Sequence, residues 1–383
     1  MLKYESNTTG CAKQTGNSDN VLLNQVLLEK QPIAIVGDVA MRPTLQDMAN
    51  ILNLSKSTVS RALSGDPRVA EATRVRVECL AVQIGYTPNP IAQGLATRRT
   101  NTIGLAVPCA PRSLSDPFYL EFLGHAGNAA MKAGYSVLLS AEEEDGAGAH
   151  SAHVELAGSA RVDGMILTEP KIRDERVEAL KRARLPFVFL GMTRDQDVSW
   201  VSCENRLGSA EAVEGLTRLG HARIACLAGP ADQTASEARY QGYCEALVKA
   251  GIPLDLNLVA SGDFTQAGGY AAMAEILERG NSVSGVFASN DVMALGAMYA
   301  LRERGLSIPE DVSVVGFDGI AFAQFSTPPL ATVRQPIDEL GRVAVEILIE
   351  LIRGDNQGPV HRVLPARFEP AGSAAPPGGG ALR

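Results

Sequence analysis

At 383 residues, 45% of them hydrophobic and 20% charged, the chain is long enough for two or three domains, and its ordinary globular composition excludes a collagen-like or wholly disordered chain. A formal net charge of −8 argues against nucleic-acid binding over the molecule as a whole, because phosphate contacts need a positive surface. Six cysteines without any CxxC spacing suit buried thiols in a reducing compartment better than a disulfide framework, and there is no apolar run of membrane-spanning length, so a cytoplasmic protein without a membrane partner is expected.

Residues 1–41 are polar and mixed, and the regular sequence starts abruptly at "MRPTLQDMANIL". The first 41 residues read as a disordered leader or as a start site misassigned ahead of Met41. Residues 42–88 change character. Between Met41 and Thr102 eight basic residues stand against four acidic ones, so this segment carries +4 and the rest of the chain −12. That asymmetry points to a small nucleic-acid-binding head on a larger acidic body. Thr44 can cap a helix with Asp47 three residues on, and Leu45, Met48, Ala49 and Leu52 recur at helical spacing. Asn53 tolerates the left-handed conformation, and Ser55 can cap a second helix, Lys56 to Leu63, expected to bury Val59 and Leu63. Two short helices meeting across a tight turn make helix-turn-helix geometry. A third helix, from Glu71 to about Ile84 and burying Val77, Leu80, Ala81 and Ile84, completes an all-α head.

The second helix, in "SKSTVSRALSGDPRV", carries the functional reading. Ser55, Ser57, Thr58 and Ser60 are short hydroxyl residues that can bond phosphate oxygens without holding the helix away from a groove, and Arg61 is long enough to reach a guanine edge with two hydrogen bonds. Lys56 and Ser57 open the helix and would set sequence preference. Thr44, Leu45 and Ser64 complete the expected DNA-contacting set, and the expected partner is a double-stranded DNA operator. For this match taken alone, a surface helix with incidental serines is the plain alternative.

Residues 89–101, "NPIAQGLATRR" and its flank, form a linker with one apolar turn. Gly94 lowers helix propensity by about 1 kcal/mol relative to Ala, so the linker is expected to be disordered without DNA. From Thr102 the pattern alternates strand and helix in two series. The first runs from Ile103–Val107 through "YSVLLS", "DGMILTEP" and "PFVFLG", and the second through "ARIACLAGP", "LVASGDF", "GVFASND" and "DVSVVGFDG". Such alternation predicts doubly wound parallel sheets in two α/β lobes over residues 102–370. Residues 371–383 are rich in Pro, Gly and Ala, with little to bury, and read as a flexible tail.

The chain resembles the lactose-repressor (LacI) family of bacterial transcription regulators. The likeness lies in "TLQDMANILNLSKSTVSRALSG", "GYTPNPIAQGLATRRTNTIGLAVP", "GVFASNDVMALGAMYALRERGLSIPEDVSVVGFDG" and "STPPLATVRQP", in that order, and spans about residues 42–370. The resemblance implies a hinge helix over Asn89–Arg99 that orders in the minor groove when two chains pair, with Asn89 meeting a phosphate, Ala92 entering the groove and Leu95 wedging between base pairs. It also implies a periplasmic-binding-protein-like two-lobe clamp crossed near Asn205 and near Arg334 to Pro336, a homodimer, and a repressor of carbohydrate-utilisation genes reading a palindromic operator.

A ligand is then expected between the lobes, at the carboxyl ends of the strands. Asn290 and Asp291 follow one predicted strand and Asp318 another. The resemblance matches Asn290 and Asp318 to positions that bond ligand hydroxyls and Arg239 to an effector-contacting arginine. Carboxylate, amide and guanidinium together suit a neutral polyol whose hydroxyls both donate and accept. Phe264 would stack on the apolar face of a sugar, while Phe118 and Tyr119 would line the opposite lobe. For these aromatics and charges the alternative is core packing and salt bridges within a lobe. The segment "GPADQTASEAR", with Gln233, Ala235 and Glu237, lacks the further arginine that would clamp a nucleobase in the family, which favours a mono- or disaccharide over a nucleoside or purine effector.

An enzyme would need a constellation of its own, and no GxSxG, GxxxxGK[ST] or HExxH occurs. His150 and His153 have no accompanying ligand cluster, His221 reads as a structural hydrogen-bonding residue, and no cofactor or metal is expected. A sugar-binding transport receptor would share the clamp but not the basic head.

Overall fold

The structure, a computed structural model, describes residues 43–87, 99–108, 116–142, 152–355 and 358–378. It divides into two compact units, Met1–Pro88 and Asn89–Arg383.

In the first unit, Thr44 and Asp47 bond each other's backbone and side chain in a reciprocal cap that starts helix α1 (Leu45–Leu52). Asn53 ends it at φ 54°, ψ 45°, the left-handed conformation expected of it. Ser55 Oγ accepts from Thr58 N (3.1 Å) and starts α2 (Lys56–Leu63). Helix α3 (Glu71–Ile84) stops at Gly85, whose φ of 66° ends the helical run. Met48, Ala49, Val59, Ala62, Val77, Leu80 and Ala81 form the core. Three expectations shift. Ala62 is buried where Leu63 was expected, with Leu63 packed at the core's edge. Ile84, expected inside, is likewise packed only at that edge. Cys79, read as a buried thiol, is exposed on α3.

The second unit holds two parallel sheets. The first lobe has the strands β1 (Thr102–Pro108), β2 (Ser136–Glu142), β3 (Gly164–Thr168), β4 (Phe187–Leu190) and β5 (Ser199–Cys203). They lie in the order β5-β4-β3-β1-β2, with helices α4 (Pro117–Lys132), α5 (Ala152–Gly158) and α6 (Glu175–Ala183) between them. Strands β3, β4 and β5 are buried at every position, as strands covered on both faces must be. The chain leaves this lobe into α7 (Asn205–Arg218) and builds β6 (Ile224–Ala228), α8 (Thr234–Lys249), β7 (Val259–Ser261), α9 (Gln266–Glu278), β8 (Gly285–Ala288), α10 (Asp291–Glu303) and β9 (Ser313–Val315). Their sheet runs β7-β6-β8-β9, again all parallel.

Strand β10 (Thr332–Arg334) then leads back into α11 (Ile337–Arg353), whose Ile337, Leu340, Ala344, Val345 and Leu348 pack onto the first lobe. A third crossing joins the two the sequence suggested. Strand β11 (His361–Leu364) pairs with β5 in the first lobe, and β12 (Arg367–Glu369) pairs antiparallel with β10.

The tail corrects a further expectation. Residues 371–378 are placed against the second lobe and not left free. Ser373 is fully buried, its Oγ donating to the Val314 carbonyl (2.6 Å) and accepting from Ala331 N (2.8 Å), while Val314 N donates to the Ser373 carbonyl (2.9 Å). The Ala375 carbonyl accepts from Ser313 Oγ (3.0 Å) and bonds His221 Nε2 (2.9 Å), the structural role expected of that histidine. Strand β9 is a sheet edge with backbone groups that need partners. Small tail residues come close enough to supply them, so the composition that suggested flexibility is what permits the contact. Among the described residues no helix is long and apolar enough to cross a membrane.

Candidate nucleic-acid interface and ligand cleft

Lys56, Ser57, Ser60 and Arg61 stand exposed on one side of α2, opposite the buried Val59 and Ala62. The other expected contacts divide their duty. Ser55 Oγ lies 2.8 Å from Ser57 Oγ and 2.7 Å from Thr58 Oγ1 as well as capping the helix, and Thr58 is half-buried. Thr44 caps α1, Leu45 leans on the core, and the Ser64 hydroxyl donates to the Arg61 carbonyl (3.0 Å) at the end of α2. The starts of α1 and α2 offer backbone N–H groups and positive dipole ends to an anion. Arg68 is held by Asp66, and those bonds pull the Asp66 carboxyl down to about 2. Asn89, Ala92 and Leu95 lie outside the described residues, as do the side chains of His150 and His153.

The second unit contains a cleft of about 640 Å³, open mouth included, where the carboxyl ends of both sheets face each other. All six expected effector residues, Phe118, Tyr119, Arg239, Phe264, Asn290 and Asp318, line it. Arg239 reaches its floor from the first half of α8. It is 6% exposed, its Nη1 lies 3.2 Å from Asp318 Oδ1 and donates to the Ser289 carbonyl (2.5 Å), and its Nε donates to Asn205 Oδ1 (2.8 Å). Its guanidinium carbon sits 3.8 Å from the Phe317 ring centroid and 5.9 Å from that of Phe264, so an aromatic plane holds the fork in place. Burial pushes the Asp318 carboxyl up to about 6, with Arg239 and a bond from Gln335 pulling against that rise.

The other wall belongs to the first lobe. Asp116 caps α4, its Oδ1 accepting from Phe118 N (2.9 Å). Burial first, then the charges of Asp318 and Glu169, push its carboxyl up to about 7. The Phe118 and Tyr119 rings meet edge to face at 5.3 Å, and the Tyr119 hydroxyl donates to Glu169 Oε1 (2.7 Å). Gln233 Nε2 reaches from the second lobe to Glu169 Oε2 (3.1 Å). At the rim Ile172 N donates to the Asp232 carbonyl (2.7 Å) and Thr234 N to the Pro170 carbonyl (3.2 Å), while Arg194 pairs with Glu237. The lobes therefore touch across the cleft. Glu169, Phe264 and Asp318 take φ values of 50°, 63° and 114°, a backbone region that costs free energy for residues with a β-carbon and that gathers at ligand sites.

Two expected residues behave differently from their neighbours. Asn290 lines the cleft, but its Oδ1 caps α10 by accepting from Met293 N (2.9 Å) and its Nδ2 donates to the Phe264 carbonyl (3.2 Å). Asp291 does not face the cleft. It is fully buried, accepting from Gly319 N, Ile320 N and Thr332 Oγ1. Asp116, Glu169, Asn205 and Gln335 line the cleft without having been singled out as ligand residues. Only Asp116 carried a local signal, as the cap before the proline of "SDPF".

Sequence profiles match in two places: one described as "Bacterial regulatory proteins, lacI family" over residues 44–89, and one for a periplasmic binding protein-like domain over residues 213–373. The HTH-type transcriptional regulator CelR of Thermobifida fusca is 39% identical over 332 residues, 84% of this chain and 96% of its own. A structure described as a transcriptional regulator CelR-cellobiose complex superposes with a TM-score of 0.67 at 36% identity, covering 87% of this chain and all of the other. A crystal structure of the lac repressor dimer bound to operator and the anti-inducer ONPF superposes with a TM-score of 0.77 at 30% identity, covering 88% and 100%.

Proposed function

The chain belongs to the lacI family of bacterial regulatory proteins, and from that membership we propose a dimeric repressor of carbohydrate-utilisation genes that reads a palindromic DNA operator and answers to a small sugar. It is a DNA-binding regulator and not an enzyme. It acts in the bacterial cytoplasm, at the nucleoid when bound to its operator. The observation that carries the sugar reading is the buried Arg239–Asp318 pair on the floor of a cleft with Phe118, Tyr119 and Phe264 in its walls. Hydroxyls can share the pair as donors and acceptors, and ring C–H faces can meet the aromatics. The related CelR was captured with cellobiose, which makes a disaccharide the first probe. A nucleoside effector is the second reading; Ala235 at the rim, and Arg239 as the one cation among the described cleft residues, favour the sugar.

Self-association fits the second lobe, where Tyr299, Phe322 and Phe325 are 56%, 62% and 81% exposed and Tyr270 packs 5.7 Å from Tyr299. Aromatic side chains are enriched where protein surfaces meet. Ligand in the cleft re-angles the lobes, the paired hinges at residues 89–101 lose their fit to the minor groove, and operator affinity changes. The sugar acts only through its difference in affinity for the two states. Gel-shift titration of promoter fragments from the protein's own genome, with and without cellobiose, ribose and other sugars, tests the reading at one moderate salt concentration. A selective grip that one sugar alters is expected; no selective grip under any of these conditions would overturn it.

A further inference from the structure

The pair on the floor of the cleft is held by one amide from each of two chain crossings. Arg239 Nε donates to Asn205 Oδ1 (2.8 Å), and Asn205 Nδ2 donates in turn to Ser202 Oγ and the Cys203 carbonyl, at 3.2 and 3.3 Å, in the last residues of β5. On the opposite side Gln335 Nε2 donates to Asp318 Oδ1 (2.7 Å), the same oxygen that faces Arg239. Gln335 N donates to the Asp318 carbonyl (3.0 Å), and Asp318 N to the Val333 carbonyl (2.8 Å). Asn205 and Gln335 are 9% and 6% exposed, so a bond lost at either amide is not replaced cheaply by water. Asp318, at φ 114°, keeps that conformation because its partners hold it.

We propose that Asn205 and Gln335 are positioning residues that join the two crossings through the Arg239–Asp318 pair, so that the state of the cleft is imposed on both crossings at once. The proposal rests for its purpose on the cleft being the effector site. Its physics is competition within one buried network. A hydroxyl that donates to Asp318 or accepts from Arg239 redirects the bonds those groups make to the amides, and each amide is fixed to a segment that must bend when the lobes move. If the amides served only local packing, each would matter to its own crossing alone.

Hydrogen-exchange mass spectrometry on the full chain without ligand separates the two. Gln335→Met removes the donor at similar length, and should speed exchange about tenfold in residues 202–208, the crossing that Gln335 does not touch, as well as in residues 331–337. Asn205→Asp keeps the acceptor for Arg239 and removes the donors toward β5, and should produce the reverse pattern. Either variant decides the question. Faster exchange confined to the altered crossing overturns the proposal, and so does an equal rise across the whole unit, which would be ordinary destabilisation. No sugar enters the measurement, so the two ideas fail separately. A protein that binds none of the sugar panel yet spreads the exchange keeps the relay and loses the effector reading, whereas one that binds sugar but confines the exchange loses the relay.

Discussion

Arg61 leaves α2 without an ion pair among the described residues, whereas Arg68 and Arg74 are tied to Asp66 and Glu71. A guanidinium already bound to a carboxylate must break that bond to meet a base; among the described residues Arg61 has none to break. Arg61→Ala should therefore cost about 1–3 kcal/mol of base discrimination per half-site, seen by titrating the variant against operators altered one base pair at a time, with unchanged preference refuting the assignment. Asp116 yields a pH experiment. Its carboxyl is pushed up to about 7, so between pH 4 and 7 the folded protein holds a proton that the unfolded chain has released. Stability of the second unit should fall through that window as pH rises and level off above it. Asp116→Asn keeps a capping residue and removes the titration, so at pH 8 it should be more stable than the parent by about 2–4 kcal/mol, with the gap closing near pH 4 in denaturant melts. The caps at Thr44 and Ser55 and the charge at Asp318 were legible because each follows from a local rule, a hydroxyl before an apolar period or a charge just past a strand, whereas Arg239, inside α8, was reached only through the family resemblance. Asn205 and Gln335 were not, because an amide can face a pair far along the chain and nothing in "CENR" or "VRQP" says which way it turns.

At the level of elements the alternation of apolar runs and amphipathic helices exposed both lobes, since buried parallel strands leave a dense signal in sequence. The weak signals were missed for the converse reason. Strand β11 is four residues long with its middle pair exposed, and the tail pairs through backbone and small side chains that carry no hydrophobic period. The tail is nonetheless structural. Ser373→Ala removes the partner of Ala331 N and the donor to Val314, both in the interior, and should cost the second unit about 1–3 kcal/mol. Ending the chain at Pro370 should cost more, because the edge of β9 then loses its backbone partners as well. Equal denaturation midpoints for parent and truncated chain would show that the tail contributes nothing.

For the molecule as a regulator, the proposed DNA-contacting helix and the proposed effector cleft lie in different units, and one substitution can test that separation. Asp318 accepts from Arg239 and Gln335 in the cleft, and no DNA-contacting residue named above belongs to its unit except the hinge positions Asn89, Ala92 and Leu95. On the proposed reading, in which the ligand distinguishes two lobe arrangements through the Asp318 acceptor, Asp318→Ala should leave operator affinity within about twofold while abolishing the sugar response. The complication is the cation left behind: removing one partner of a buried pair costs about 3–5 kcal/mol because the other remains buried and unpaired. Asp318→Asn provides the control. It retains an oxygen for Gln335 and Arg239 at unchanged size, removes the negative charge, and disturbs folding less. If both variants grip the operator and neither answers to the sugar, the carboxylate carries the response. If Asp318→Ala fails to bind DNA while Asp318→Asn binds and responds normally, the residue holds the fold and does not sense the ligand.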